Sequence, residues 1–322
     1  MTTTIDRGAL QRVIAVINGK GGVLKTTLTS NIGGLLANSG YRVLLVDLDP
    51  QGNLAEDLGY TGDDRDDQGN ALMLGLMGST SEPIKSIRPN LDVYAGGPRL
   101  DRASAALVAQ AAADPVGAQL ALAKLLEPIA SDYDMILLDC PPGDQTLQTA
   151  AVAAARWALV PVKSDKSSRR GMEAVASRVA SVVENGVNPG IDLLGIVVVD
   201  ITLTRRPTGS TATRVEAAVR KEIVDVFKEE GLVFSATVRH SETTAQATRE
   251  RGLLVHELDE AVVAGPAWYD VLKGEAVAQS FAPRSATSVA DDLQAVVEEV
   301  VARIGAAESE AAATAPAGRR RA

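Results

Sequence analysis

Ten consecutive residues near the start of the chain could do chemistry on a phosphate: Asn18-Gly19-Lys20-Gly21-Gly22-Val23-Leu24-Lys25-Thr26-Thr27. An apolar run, Val13-Ile14-Ala15-Val16-Ile17, precedes them, and a segment with helical spacing, Thr26–Ser39, follows. Strand, glycine loop and helix form a phosphate cradle, because backbone N–H groups converge on an anion at the positive end of a helix. Lys25 is spaced to reach β- and γ-phosphates, and the Thr26 hydroxyl to ligate Mg²⁺. A glycine-rich turn with incidental lysines is the bland alternative. The flanking elements and the carboxylates downstream weigh against it.

Those carboxylates come in two places. Val43-Leu44-Leu45-Val46 runs into Asp47, and Asp49-Pro50-Gln51-Gly52 follows directly after Leu48. Carboxylates at the C-terminal end of a strand lie where open α/β sheets bind ligands. One can hold a metal-bound water while the other orients the attacking water. Alone the segment reads equally well as a turn, since Asp-Pro and Gln-Gly are common turn pairs. In the second place, Met135-Ile136-Leu137-Leu138 runs into Asp139 and then Cys140-Pro141-Pro142. This is the form of a strand whose aspartate supports a Mg²⁺ shell.

The elements needed to position these groups are legible as alternating runs. Strands are predicted at Val13–Ile17, Arg42–Asp47, Leu91–Ala95, Met135–Asp139, Trp157–Val162, Leu193–Val199 and Leu232–Ala236. Most are continuously apolar, as expected of strands covered on both faces. Helical spacing occupies Thr26–Ser39, Val116–Ala130, Gly171–Glu184, Thr211–Glu230 and Val289–Ile304. The expected fold class is therefore α/β: a doubly wound, mainly parallel sheet flanked by helices. Residues 1–11 read as a flexible N-terminal segment, 12–305 as a single domain, and 306–322 as a disordered tail rich in Ala, Glu, Ser and Pro. Thr61–Gly69 reads as an acidic surface loop.

Composition sets bounds. Of the 322 residues 46% are hydrophobic but only 3% aromatic, so the core must rest on Val, Leu, Ile and Ala. Cys140 is the sole cysteine, which excludes an internal disulfide and an all-cysteine metal site and fits a cytoplasmic location. No run of about 18 apolar residues could span a membrane. The net charge of −9 argues against nucleic acid as a partner, except through a local basic patch.

Together KGGVLKTT (20–27), VDLDPQGN (46–53) and DMILLDCPP (134–142) resemble the ParA/MinD group of P-loop ATPases, the deviant Walker A family. The resemblance, over about residues 12–265, implies an ATPase that uses ATP and Mg²⁺. It places nucleotide on Gly19, Lys20, Gly21, Gly22, Val23, Leu24, Lys25, Thr26 and Thr27, and metal on Thr26, Asp47 and Asp139. It gives catalytic roles to Lys20, Lys25 and Asp49. By the same resemblance, Lys20 looks like the signature lysine that crosses a dimer interface to the partner's nucleotide, and Asp49 like the residue that positions the hydrolytic water. A lysine supplied in trans makes phosphate neutralisation conditional on dimerisation.

Within the group, one cysteine per chain does not suit an iron–sulfur protein. A terminal helix carrying Asp291, Asp292, Glu298 and Glu299 does not suit anionic lipid. What remains is the ParA branch: partition of plasmids or chromosomes by an ATP-bound homodimer on nonspecific double-stranded DNA, stimulated by a ParB-like partner. Arg205, Arg206 and Arg239 are the DNA-binding candidates implied by the resemblance; Arg214, Arg220, Lys221, Arg249 and Arg251 form a weaker set. Lys163, Lys166, Arg169 and Arg170 form a further basic strip, and Arg319-Arg320-Arg321 end the tail. His240 and His256 have no carboxylate or cysteine constellation in sequence and read as ordinary surface or core residues. Alternatives are a nucleotide-gated positioning ATPase for a non-DNA cargo, and a switch that hydrolyses slowly because of Leu24. That residue stands where the pattern has glycine; if the position needs φ > 0, leucine costs about 1–2 kcal/mol. A second departure is Gly143-Asp144 after the two prolines.

Overall fold

The computed structural model describes residues 4–201, 214–264, 283 and 285–314. Its strands are β1 (Val13–Val16), β2 (Val43–Asp47), β3 (Ile84–Arg88), β4 (Leu91–Tyr94), β5 (Met135–Asp139), β6 (Trp157–Val162), β7 (Asp192–Ile201) and β8 (Val233–Arg239). The helices are α1 (Lys25–Asn38), α2 (Asn53–Asp57), α3 (Asn70–Leu76), α4 (Leu100–Ala111), α5 (Pro115–Gln119), α6 (Ala121–Leu126), α7 (Gln145–Ala154), α8 (Lys166–Glu184), α9 (Arg214–Phe227), α10 (Glu242–Arg251), α11 (Val255–Ala264) and α12 (Ser285–Thr314).

All eight strands join one sheet in the order β3-β4-β2-β5-β1-β6-β7-β8. Only β3 runs antiparallel to its neighbour. The seven predicted strands are present. The eighth, β3, escaped prediction because its Lys85, Ser86 and Arg88 break any apolar run, as an edge position permits.

Alternate residues along each strand enter different cores. From β1, Val13 and Ala15 face the core shared with α4, α6 and α7, and Ile14 and Val16 the core shared with α1, α2 and α12. Helices therefore cover both faces, and the aliphatic strands stay dry. Close approach has a local cause in α1: a Cβ at Gly33 would lie 2.5 Å from Leu45 of β2. Only glycine lets the helix settle onto the sheet there.

Three expectations need correction. The segment before β1 is packed, not loose: Leu10 is buried, and Arg7 donates to the carbonyls of Ala153 and Val187 at 2.6 Å each. Residues 306–314, expected to be disordered, continue α12, because Ala and Glu are strong helix formers and Arg12 anchors Glu308 at 2.7 Å; residues 315–322 lie outside the described part. Val116–Ala130 is not one helix but α5, α6 and a 3₁₀ turn over Glu127–Asp132. Pro128, without an N–H, cannot continue the α-helical ladder.

The terminal helix packs on the domain through Leu293, Val296, Val297 and Val300. Two of its acidic residues, Asp292 and Glu299, also face protein, while Asp291 and Glu298 are exposed. Asp292 receives Arg239 in a bidentate pair at 2.6 and 2.7 Å, and Glu299 accepts from the backbone N–H groups of Ser235 and Ala236 on β8. Among the described residues no helix is long and apolar enough to cross a membrane.

Candidate nucleotide site

The glycine loop leaves β1 where the sheet order reverses: the chain passes from β1 toward β2 on one side and from β5 to β6 on the other. Such a switch point opens a crevice at the carboxyl ends of the strands. The loop is pinned from beneath by buried Asn18. Its amide donates to the Pro161 carbonyl at 2.8 Å, and its oxygen accepts from the Lys20 N–H at 2.9 Å.

Two residues of the loop are left-handed: Gly22 at φ 70° and Leu24 at φ 59°. Leu24 also stands at the N-cap of α1 and makes no side-chain cap. The position therefore does require φ > 0, and leucine there is a strained choice of about 1–2 kcal/mol. Its half-buried side chain packs against the α1 core, which offsets part of that strain.

Lys25 opens α1 almost fully buried, and its ammonium donates to the Lys20 carbonyl at 2.9 Å. Burial lowers its pKa below the usual lysine range, against the pull of the Asp139 and Asp49 carboxylates. Lys20 turns back onto its own chain and pairs with Asp165 beyond β6.

Asp47 and Asp139 end adjacent strands in direct register, so their carboxylates meet in the same dry layer. Burial pushes both upward from the usual carboxylate range, and Asp139 raises Asp47 further; the Thr26 hydroxyl and the Lys25 ammonium oppose the shift of Asp139. Their local bonding differs. Asp47 accepts from the N–H groups of Asp49 at 2.9 Å and Leu54 at 3.2 Å. Gly96 lies against it so closely that a Cβ would come within 2.4 Å of its carboxyl carbon. Neither buried oxygen of Asp139 has a partner at full hydrogen-bond geometry among the described residues. A fully buried, unsatisfied carboxylate is expensive, and beside a threonine hydroxyl it fits a hard, oxygen-seeking cation such as Mg²⁺. No cluster of three His, Cys, Asp or Glu forms a metal site among the described residues. Asp49 is nearly buried and accepts from the Gln51 N–H at 2.9 Å.

Beside the loop lies a cavity of about 210 Å³. Leu24 and Thr27 line it on the loop side, and Asp200, His240, Ser241 and Arg249 on the other. Asp200, at φ 62°, bridges Lys163 from the end of β6 and His240 from the end of β8. Burial raises its pKa, but bonds from Lys163 and His240 outweigh that and hold it below the usual carboxylate range. The expectation that His240 has no carboxylate near it was therefore wrong. Asp200 is 40 residues away in sequence, and only the parallel pairing of β7 with β8 brings the two together. A larger cleft, about 600 Å³, lies away from this site between the α3–β3 loop and α5–α6. It contains none of the motif residues.

The basic candidates divide. Arg205 and Arg206 lie outside the described residues. Arg239 is tied to Asp292, and Arg220 to Glu216 and the carbonyls of Phe234 and Ser235. Arg170 is exposed, while the side chains of Lys166 and Arg169 fall outside the described part.

Residues 11–193 match a protein family described as AAA domain. The chromosome-partitioning ATPase Soj of Thermus thermophilus is 39% identical over 189 residues, covering 58% of this chain and 68% of that one. The chromosome partitioning protein ParA of Myxococcus xanthus is 29% identical over 227 residues, covering 67% and 74%. Among solved structures, an ATP complex of a Cyanothece McdA variant superposes with a TM-score of 0.70 over 90% of this chain and 96% of that one; at 19% identity it speaks for the fold alone. On the match over more than half its length, the chain belongs to the AAA_31 family of ParA/MinD-type P-loop ATPases.

Proposed function

We propose that the protein is a partition ATPase that dimerises on ATP, binds DNA without sequence preference, and is released by hydrolysis stimulated by a ParB-like partner. The observation carrying the ATPase part is the unsatisfied, buried Asp139 in register with Asp47 behind the phosphate loop. The partition part rests on similarity to proteins named ParA and Soj.

In this reading the loop amides from Gly19 to Thr27 hold the phosphates. Lys25 leaves the Lys20 carbonyl for the β- and γ-phosphates. Thr26, Asp47 and Asp139 hold Mg²⁺, which when bound neutralises phosphate charge. Asp49 orients the attacking water. Lys20 exchanges Asp165 for a phosphate of the partner's nucleotide, so turnover waits for dimerisation. The cavity beside Thr27 takes the base. Leu24 slows turnover more than it weakens binding.

A second reading, a positioning ATPase for a non-DNA cargo, is favoured by one observation: Arg239 already commits its guanidinium to Asp292. Gel shifts on nonspecific DNA at low salt, with ADP and with ATP, separate the two. ATP-dependent retardation supports partition. Its absence, with ATP-dependent dimerisation intact, sinks that reading and leaves the cargo one.

A further inference from the structure

The cleft of about 600 Å³ is walled by α3, α4, α5 and α6 and by the loop from α3 to β3. Leu76, Met77, Ala121, Leu125 and Ile129 give it an apolar body. Its polar groups are few: Ser79, Thr80 and Ser81 on the loop, Gln110 on α4 and Lys124 on α6. No carboxylate lines it among the described residues. Lys124 is half-buried, and among the described residues it makes no ion pair or hydrogen bond. The acids nearest to it in sequence are engaged elsewhere. Glu127 accepts from the Asp6 N–H at 2.7 Å, and Asp114 caps α5 through the Gly117 N–H at 2.8 Å. The walls are fixed by packing. The Tyr94 hydroxyl of β4 donates to the Ser81 carbonyl at 2.9 Å. Gly75 brings α3 so close to α6 that a Cβ there would lie 2.6 Å from Leu125.

We propose that this cleft binds a small amphipathic carboxylate, an acyl chain with one anionic head. Preformed pockets of roughly 300–1,000 Å³, apolar with a few convergent polar groups, are the usual form of a small-molecule site. Here the charge complementarity selects the head. One ammonium with no matching acid, beside three hydroxyls that can donate, presents a single positive charge. A carboxylate meets it with a charge-assisted hydrogen bond, which is stronger than a neutral one. A cationic head would face Lys124 with no acid in the wall to receive it, and a dianion would leave one charge unmatched. The apolar chain gains by leaving water for the surface of Leu76, Leu125 and Ile129. None of the phosphate-loop residues and none of Asp47, Asp49 and Asp139 lines the cleft, so this inference stands apart from the ATPase reading.

The test is titration calorimetry of the full chain with decanoate and with decylammonium, which share one tail and differ in the charge of the head. Circular dichroism confirms that each variant folds. Decanoate should bind saturably to one site, and decylammonium about tenfold more weakly or worse. Lys124→Glu should weaken decanoate by about tenfold or more and remove the preference over decylammonium. Lys124→Arg keeps the charge and should keep the preference. Gln110→Trp, made from an exposed position on the wall, fills the space and should weaken both probes. An anionic head could also come from a membrane lipid, so a second arm sediments the protein with phosphatidylglycerol vesicles free of fatty acid; no retention that depends on Lys124 is expected. Absence of saturable decanoate binding overturns the proposal, as does equal binding of the two probes or an unchanged decanoate Kd in both Lys124→Glu and Gln110→Trp. Vesicle retention without decanoate binding assigns the anion to a lipid head group and overturns it too.

Discussion

Along the carboxyl edge of the sheet the site changes character between β1 and β7. On the phosphate side, charge is buried and incompletely satisfied. Asp139 has no well-formed hydrogen bond, Lys25 makes do with a backbone carbonyl, and Leu24 sits in a conformation leucine resists. On the side proposed for the base, charge is paired, Lys163 with Asp200 and Arg239 with Asp292, and His240 Nδ1 also meets the Asp200 carboxylate. A dry, unpaired group costs folding energy and is tolerated where a ligand will complete it. A paired group is already stable, and it serves by holding a shape. The phosphate side should therefore gain stability and lose function when its polar groups are removed. The base side should lose a little of both.

Substitution can break that contrast. The largest effect is expected at Lys25: Lys25→Ala should weaken ATP binding by about 100-fold or more, read by calorimetry, since no other side chain described in the loop can supply a buried ammonium at that point. Asp139→Asn comes next. Turnover should fall by about 100-fold while the nucleotide-free protein gains on the order of 1–3 kcal/mol in urea unfolding, because an unsatisfied buried charge disappears. A loss of stability would show that Asp139 is satisfied after all. Lys20→Ala should leave ATP affinity within a few-fold but abolish ATP-dependent dimerisation in light scattering. Leu24→Gly should raise turnover severalfold with little change in ATP affinity. Unchanged turnover and affinity would make the strain irrelevant to function. The smallest change belongs to the base side. Asp292→Ala should cost about 1 kcal/mol, as for a partly exposed ion pair. It also releases Arg239, so gel shifts should show stronger retention of DNA if that arginine contacts phosphate.

The same contrast explains what could be read before folding. The phosphate side is contiguous: a loop of ten residues and two strands that each end in aspartate. Its chemistry follows from local order, and parallel pairing places Asp47 beside Asp139 without further instruction. The base side is assembled from three strand ends, at Lys163, Asp200 and His240, none of which carries a motif. Sequence separation hid the contact between Asp200 and His240. Elsewhere, β3 was missed because polar residues can occupy an edge strand. The helical stretch 306–314 was missed because a composition of Ala, Glu and Ser reads as solvated chain until Arg12 gives it an anchor. Leu24 was the reverse case. Its departure from the pattern was visible at once, but whether it mattered depended on a backbone angle that only the fold supplies.

The contact between Glu299 and β8 has a consequence for how molecules meet. A strand at the border of a sheet offers N–H groups to any passing strand, and crowded chains aggregate through such borders. Here one carboxylate on α12 occupies two consecutive N–H groups, those of Ser235 and Ala236. The opposite border, β3, carries Lys85 and Arg88 and bends at Ser86, where φ is 53°. Sheet-to-sheet polymerisation is thereby discouraged at both borders of the described sheet.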